Sequence, residues 1–184
     1  MSTHAERYAA AKERSGDRRT GLADFEIRCG FPLDRFQIDA CRAVAEGRNV
    51  VVSAPTGSGK TVVAEFAADR CRANGTRLFY TTPIKALSNQ KFQELRATHG
   101  EGAVGLLTGD NSVNSEAELV VMTTEVLRNM IYSKSSDLAD LATVVMDEVH
   151  YLADRSRGPV WEETIIHLPA HVQVIALSAT VSNA

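Results

Sequence analysis

Two short stretches of this sequence hold side chains whose types and spacing suit chemistry on a phosphate chain. The first is Ala54-Pro55-Thr56-Gly57-Ser58-Gly59-Lys60-Thr61. Gly57 and Gly59 let the backbone fold tightly enough for successive N–H groups to point at phosphate oxygens. Lys60 adds a mobile positive charge, and Thr61 offers a hydroxyl to Mg2+. The strict pattern starts on glycine, where this sequence has Ala54. A glycine-rich turn with no ligand is the competing reading, and the order strand, loop, helix favours the cradle. The second stretch is Asp147-Glu148-Val149-His150. The apolar run Val144, Val145, Met146 before it delivers Asp147 to a strand tip, where a carboxylate can hold Mg2+ or a water on it. Glu148 can orient or deprotonate an attacking water. Alone, the acidic motif reads equally as a solvated charged loop; beside a phosphate cradle it becomes half of a hydrolytic site.

Positioning these groups requires a scaffold, and the chain supplies six strand-length apolar runs: 49–53, 77–82, 103–108, 118–123, 143–148 and 172–179. Their apolar and β-branched residues are consecutive, not alternating, which predicts strands buried on both faces of a parallel sheet. Between them lie stripes at helical spacing. Phe66, Ala67 and Cys71 form one, Leu87, Lys91, Phe92 and Leu95 another, with ends expected at Asn74-Gly75 and Gly100. The alternation predicts a doubly wound α/β domain. Polar motifs follow every run: 54–61, Thr-Thr-Pro at 81–83, Thr-Gly-Asp at 108–110, Thr-Thr-Glu at 123–125, the acidic motif, and Ser-Ala-Thr at 178–180. In a parallel sheet these ends share one edge, the edge at which ligands bind. Thr82 followed by Pro83 predicts a helix running from 83 towards 97. Thr123 and Thr124 predict a second helix start, around Val126, Leu127 and Met130. Either start can accept a phosphate on free N–H groups, or the threonines can be caps only.

Composition narrows the partners. The 184 residues carry 20 Lys plus Arg against 23 Asp plus Glu, a formal charge of −3. No broad cationic face can drive association with nucleic acid, so any polyanion contact is local: N–H groups, hydroxyls and a few cations such as Lys85. The three cysteines, Cys29, Cys41 and Cys71, form no CxxC pair, which predicts reduced thiols and a cytosolic, cytoplasmic setting. His167 and His171 lie four apart with Pro169 between them, and read as surface or packing residues. The chain shows no signal-peptide pattern and no membrane-length apolar run. Residues 1–20 read as a flexible or helical tail and 21–184 as one domain. Neither a guanine-reading NKxD motif nor an LSGGQ signature is present, which disfavours a GTP switch and a transporter ATPase.

Together with the phosphate loop, the stretches TTPIKALSNQKFQEL, TTEVLRNMIY, DEVHYLADRSRGPVWEETI and LSAT resemble the superfamily-two helicases. The closer likeness is to the DEVH-box, Ski-like RNA helicases and the bacterial HelY-type proteins, over about residues 31–182. That family also begins its phosphate loop on alanine, which accounts for Ala54. The resemblance implies the N-terminal RecA-like lobe of an ATP-dependent helicase, a three-layer domain with a mainly parallel, doubly wound sheet. It implies Mg-ATP bound by residues 54–61, with Mg2+ on Thr61 and Asp147, Lys60 on the phosphates and Glu148 as base. It implies RNA, or single-stranded DNA, against Thr82, Pro83, Lys85, Gly109, Asp110, Thr123, Thr124 and Glu125. His150, Ser178 and Thr180 become the link between nucleotide state and strand movement.

Gln37 has two readings. Asp34 and Gln37 have capping-box spacing, so the amide can return a bond to the Asp34 N–H. The resemblance places that glutamine against the adenine edge, with Phe31 beside the ring, and an amide can both donate to and accept from that edge. The family keeps a second RecA-like lobe whose arginines complete the ATP site, so this chain alone is expected to be nearly inactive. The alternatives are a DNA helicase or duplex translocase lobe, and a non-catalytic nucleotide-binding docking module.

Overall fold

In the computed structural model, residues 15–17, 19–153 and 158–179 are described. The elements are α1 (Leu22–Cys29), α2 (Arg35–Ala45), β1 (Val50–Ser53), α3 (Thr61–Asn74), β2 (Arg77–Thr82), α4 (Lys85–His99), β3 (Val104–Thr108), β4 (Asn111–Val113), β5 (Leu119–Thr123), α5 (Thr124–Tyr132), β6 (Leu141–Met146), α6 (Gly158–His167) and β7 (Gln173–Ser178). They build one seven-stranded sheet in the order β1-β7-β6-β2-β5-β3-β4. Every pairing is parallel except β3 with β4.

Successive side chains on a strand point to opposite faces, and the two faces carry different cores. Leu78, Tyr80, Val121, Val145 and Leu177 pack with Phe66 and Cys71 of α3 and Phe92 and Leu95 of α4. Phe79, Val120, Met122, Val144 and Met146 pack with Leu127 of α5 and Trp161 of α6. The doubly wound, three-layer expectation therefore holds, and Trp161 belongs to the core. Phe79 and Trp161 are fully buried, and truncating either to alanine costs about 3–5 kcal/mol.

Three departures have physical reasons. The strand β4 has no apolar signature because all its residues are exposed at the sheet edge. The alternation on β1 leaves Val51 exposed, so this edge strand is not covered on both faces. The strand β6 stops at Met146, short of the expected 148, because the chain turns at Glu148 into a left-handed backbone with φ 59°. Residues 15–17 and 19–20 are helical and tied to the domain. Asp17 takes a two-point contact from Arg42 at 2.8 Å, and the Thr20 carbonyl accepts from Arg70 at 2.9 Å.

No helix among the described residues is long and apolar enough to cross a membrane. The cysteines are free thiols, and burial pushes the Cys41 thiol up to about 12.

Candidate nucleotide site at the carboxyl edge of the sheet

Because the strands run parallel, the segments after β1, β2, β6 and β7 emerge on one edge. The phosphate loop leaves β1 and the acidic motif leaves β6, with β7 between them, so the two strands are not direct neighbours. The Ala54 N–H donates to the Ser178 carbonyl at 3.2 Å, fixing the loop's start to the end of β7. Gly57 and Gly59 stand at φ 82° and 79°, a region closed to most side chains. A Cβ on Gly59 would also lie 2.5 Å from Gln37 Nε2. Ala54 is not among the positive-φ residues and is buried, so its position does not need the glycine of the strict pattern.

Lys60 folds its ammonium back onto its own loop, donating to the carbonyls of Ala54 at 2.8 Å and Pro55 at 2.9 Å. Ser58 Oγ is buried with no protein partner. A loop holding an ammonium on neutral carbonyls and an orphaned hydroxyl fits an incoming phosphate, which can take both.

Asp147 is held at three points. Its N–H continues the ladder past β6 by donating to the Thr81 carbonyl at 2.9 Å. Its Oδ1 accepts the Glu148 N–H at 2.9 Å, and its Oδ2 accepts the Tyr80 phenol at 2.6 Å. Tyr80 lies on β2, far away in sequence, and only the fold brings the two together. Burial, then the adjacent carboxylate of Asp147, pushes the Tyr80 phenol well above its ordinary value, so it stays a donor. His150 Nδ1 faces Glu148 Oε2 at 3.2 Å, an ion pair only when the ring is protonated.

An open cleft of about 430 Å³ joins these groups, lined by Thr56, Lys60, Thr61, Asp147 and Glu148 and, from α4, by Gln90, Lys91 and Glu94. These α4 residues carry no sequence signal of a site: Lys91 falls on the helix's apolar stripe, and nothing in the spacing of Gln90 and Glu94 distinguishes them from solvated side chains. The oxygen-only donors Thr61 and Asp147 suit Mg2+, which takes one or two protein oxygens and completes its shell with phosphate and water. Among the described residues no cluster of three or more His, Cys, Asp or Glu could cage a metal without such a ligand.

Gln37 forms the capping box: its Oε1 accepts the Asp34 N–H at 2.8 Å, and Nε2 donates to the Gly59 carbonyl at 3.0 Å. Phe31 is half exposed. The helix expected from 83 begins instead at Lys85, with Ile84 extended before it. Pro83 restricts Thr82 to extended backbone, which keeps Thr82 in β2. The Thr82 hydroxyl bonds the Ile84 carbonyl at 3.1 Å and Ser88 Oγ at 2.7 Å. Thr82, Pro83 and Thr124 are buried, and the Thr124 hydroxyl donates to the Thr82 carbonyl at 3.3 Å. Thr123 occupies the N-cap position of α5 without a side-chain cap bond, and Thr123 and Glu125 are half-buried. Gly109 and Asp110 are exposed in the β3–β4 turn, where Asp110 binds Lys85 Nζ at 2.5 Å. Hydrogen bonding and charge from Lys85 hold the Asp110 carboxyl below its usual range. Ser178 Oγ turns to the Ala179 carbonyl at 3.0 Å, and Thr180 lies outside the described residues.

The family model described as DEAD/DEAH box helicase matches residues 34–184. Probable helicase HelY of Mycobacterium leprae is 60% identical over 163 residues, covering 89% of this chain and 18% of the relative. Antiviral helicase SKI2 of Saccharomyces cerevisiae is 50% identical over 153 residues, 83% of this chain and 12% of the relative. The chain thus spans under a fifth of the length of these relatives. Among solved structures, Mycobacterium smegmatis helicase Lhr bound to ssDNA and AMP-PNP is similar at TM-score 0.64 and 34% identity, over 80% of this chain and 23% of that one.

Proposed function

Because the chain belongs to the DEAD/DEAH box helicase family, as the helicase ATP-binding domain of a Ski2-like helicase, we propose that it is the first motor lobe of an ATP-dependent RNA helicase. In this reading it couples Mg-ATP hydrolysis to movement on single-stranded nucleic acid. The observation that carries it is the single cleft holding Lys60, Thr61, Asp147 and Glu148. Lys60 exchanges two neutral carbonyls for phosphate oxygens, a stronger, charge-assisted pairing. Thr61 and Asp147 would hold Mg2+, which would supply neutralisation of the charge developing on the phosphates. Glu148, pinned in left-handed backbone beside Asp147, takes the proton of the water that attacks the terminal phosphate as the bond to the leaving ADP oxygen breaks. Gln37 and Phe31 border the adenine. Gln37 also carries the Gly59 carbonyl, so base recognition and loop shape share one side chain.

Nucleic acid lies along the ends of β2, β3 and β5, held by Lys85, the Gly109–Asp110 turn and the start of α5 at Thr123 and Glu125, with the buried Thr124 fixing that start through its bond to the Thr82 carbonyl. Thr82 and Pro83 shape that surface from beneath it. His150, Ser178 and Thr180 couple the nucleotide to a second RecA-like lobe of the same protein, whose arginines complete the site. Residues 21–184 form the lobe, residues 1–20 form an N-terminal extension that Arg42 and Arg70 fasten to it at Asp17 and Thr20, and the protein works in the cytoplasm.

A second reading, movement on DNA, is favoured by one observation: the similar Lhr structure carries ssDNA. Phosphate release by the protein that contains this chain, stimulated by RNA, single-stranded DNA or duplex DNA, separates the readings. RNA as the strongest activator supports the proposal. Stronger stimulation by either DNA favours a DNA motor, and no stimulation by any of them leaves a docking module.

A further inference from the structure

Tyr80 has no part in the chemistry above, yet its hydroxyl is aimed at the centre of the site. Its ring sits in the core cluster with Leu78, Val121 and Val145, 2% exposed, where a phenylalanine would fill the same space. The phenol oxygen is buried, so its hydrogen needs a protein acceptor, and it has one in Asp147 Oδ2 at 2.6 Å. On the other side of the carboxylate, Oδ1 accepts the Glu148 N–H. The Asp147 backbone is anchored on Thr81, the residue after Tyr80, so strand and side chain hold the same group from adjacent positions. Each carboxylate oxygen accepts one bond from the protein and keeps a lone pair for another ligand. Lys91 Nζ lies 5.5 Å from the centre of the Tyr80 ring and lines the same cleft, closing the tyrosine between cation and carboxylate.

We propose that Tyr80 is a positioning residue: its hydroxyl fixes the rotation of the Asp147 carboxylate, so that one orientation is presented to the Mg2+ of Mg-ATP. This rests on the reading of Asp147 as the metal-holding residue. A partner that orients a metal ligand contributes through the ligand, and its loss typically weakens metal binding by about 10- to 100-fold. The proposal therefore separates from a packing role, because packing would change stability and leave metal affinity alone.

The test uses the 184-residue chain with Mn2+ as the metal and ADP as the nucleotide, reading free Mn2+ by electron paramagnetic resonance. The proteins are wild type, Tyr80→Phe, Asp147→Asn and Phe79→Leu, the last a core change on the opposite face of the same strand. Circular dichroism melts accompany each titration. Tyr80→Phe is expected to raise the Mn2+ half-saturation concentration about tenfold, with ADP affinity in the absence of metal unchanged. Phe79→Leu is expected to lower the melting temperature without moving the Mn2+ curve. If Tyr80→Phe stays within about twofold of wild type while Asp147→Asn weakens binding, Tyr80 only packs and the proposal is wrong. An equal shift from Phe79→Leu would overturn it too, since general loosening would then explain both. Unchanged Mn2+ binding by Asp147→Asn would remove the metal-site reading itself, and the proposal with it.

Discussion

The amide nitrogen of Gln37 donates to the carbonyl of Gly59 at 3.0 Å, tying the first turn of α2 to the phosphate loop. The same amide closes the capping box on Asp34, so one side chain caps a helix and shapes the loop. Gln37→Ala should cost about 1 kcal/mol from the lost cap, a drop of roughly 2–4 °C in melting temperature. It should also narrow the preference for ATP over GTP. Thermal melts and competition binding with the two nucleotides check both. A fall in stability with nucleotide preference untouched would leave Gln37 a structural residue.

Glu148→Gln removes the carboxylate proposed to accept the water's proton while keeping the backbone N–H that holds Asp147 Oδ1. Turnover in the protein that contains this chain should fall by about 10²- to 10⁴-fold, with ATP and RNA affinity retained. Single-turnover phosphate release measures the first and equilibrium binding the second. Turnover near wild type would reassign Glu148 to structure.

Lys85 and Asp110 pair across the proposed nucleic-acid surface, so the cation must leave a carboxylate before it reaches a phosphate. Asp110→Asn should therefore tighten RNA binding at low salt. Lys85→Ala should weaken it and lower the slope of log affinity against log salt by roughly 0.7, the loss of one phosphate contact to a single strand. Fluorescence anisotropy across a salt series reads both. Identical slopes for Lys85→Ala and wild type would place the nucleic acid elsewhere.

Much of this architecture was readable from residue types. The runs 77–82, 118–123 and 172–179 match strands ending at Thr82, Thr123 and Ser178, and Asn74-Gly75 and Gly100 mark helix ends. Those features are local: apolar runs and helix stops act within a few residues. What could not be read depends on distant partners or on exposed backbone. The bond from Tyr80 to Asp147 needs the parallel pairing of β2 with β6, and the β4 edge carries no apolar pattern at all. The helix α4 starts at Lys85, two residues later than the sequence predicts, because Thr82 and Pro83 look like a cap and first turn. The Thr82 hydroxyl instead bonds Ser88, six residues on, which only the folded chain brings within reach.

The proposed phosphate cradle depends most directly on Lys60, whose ammonium rests on the carbonyls of Ala54 and Pro55. Isothermal titration calorimetry of Mg-ATP into wild-type chain and Lys60→Ala, with circular dichroism to confirm the fold, measures that claim. Loss of a charge-assisted contact should weaken binding by about tenfold or more, with the fold intact. Equal affinity in the two proteins would contradict the phosphate cradle, and with it the assignment of the cleft to ATP.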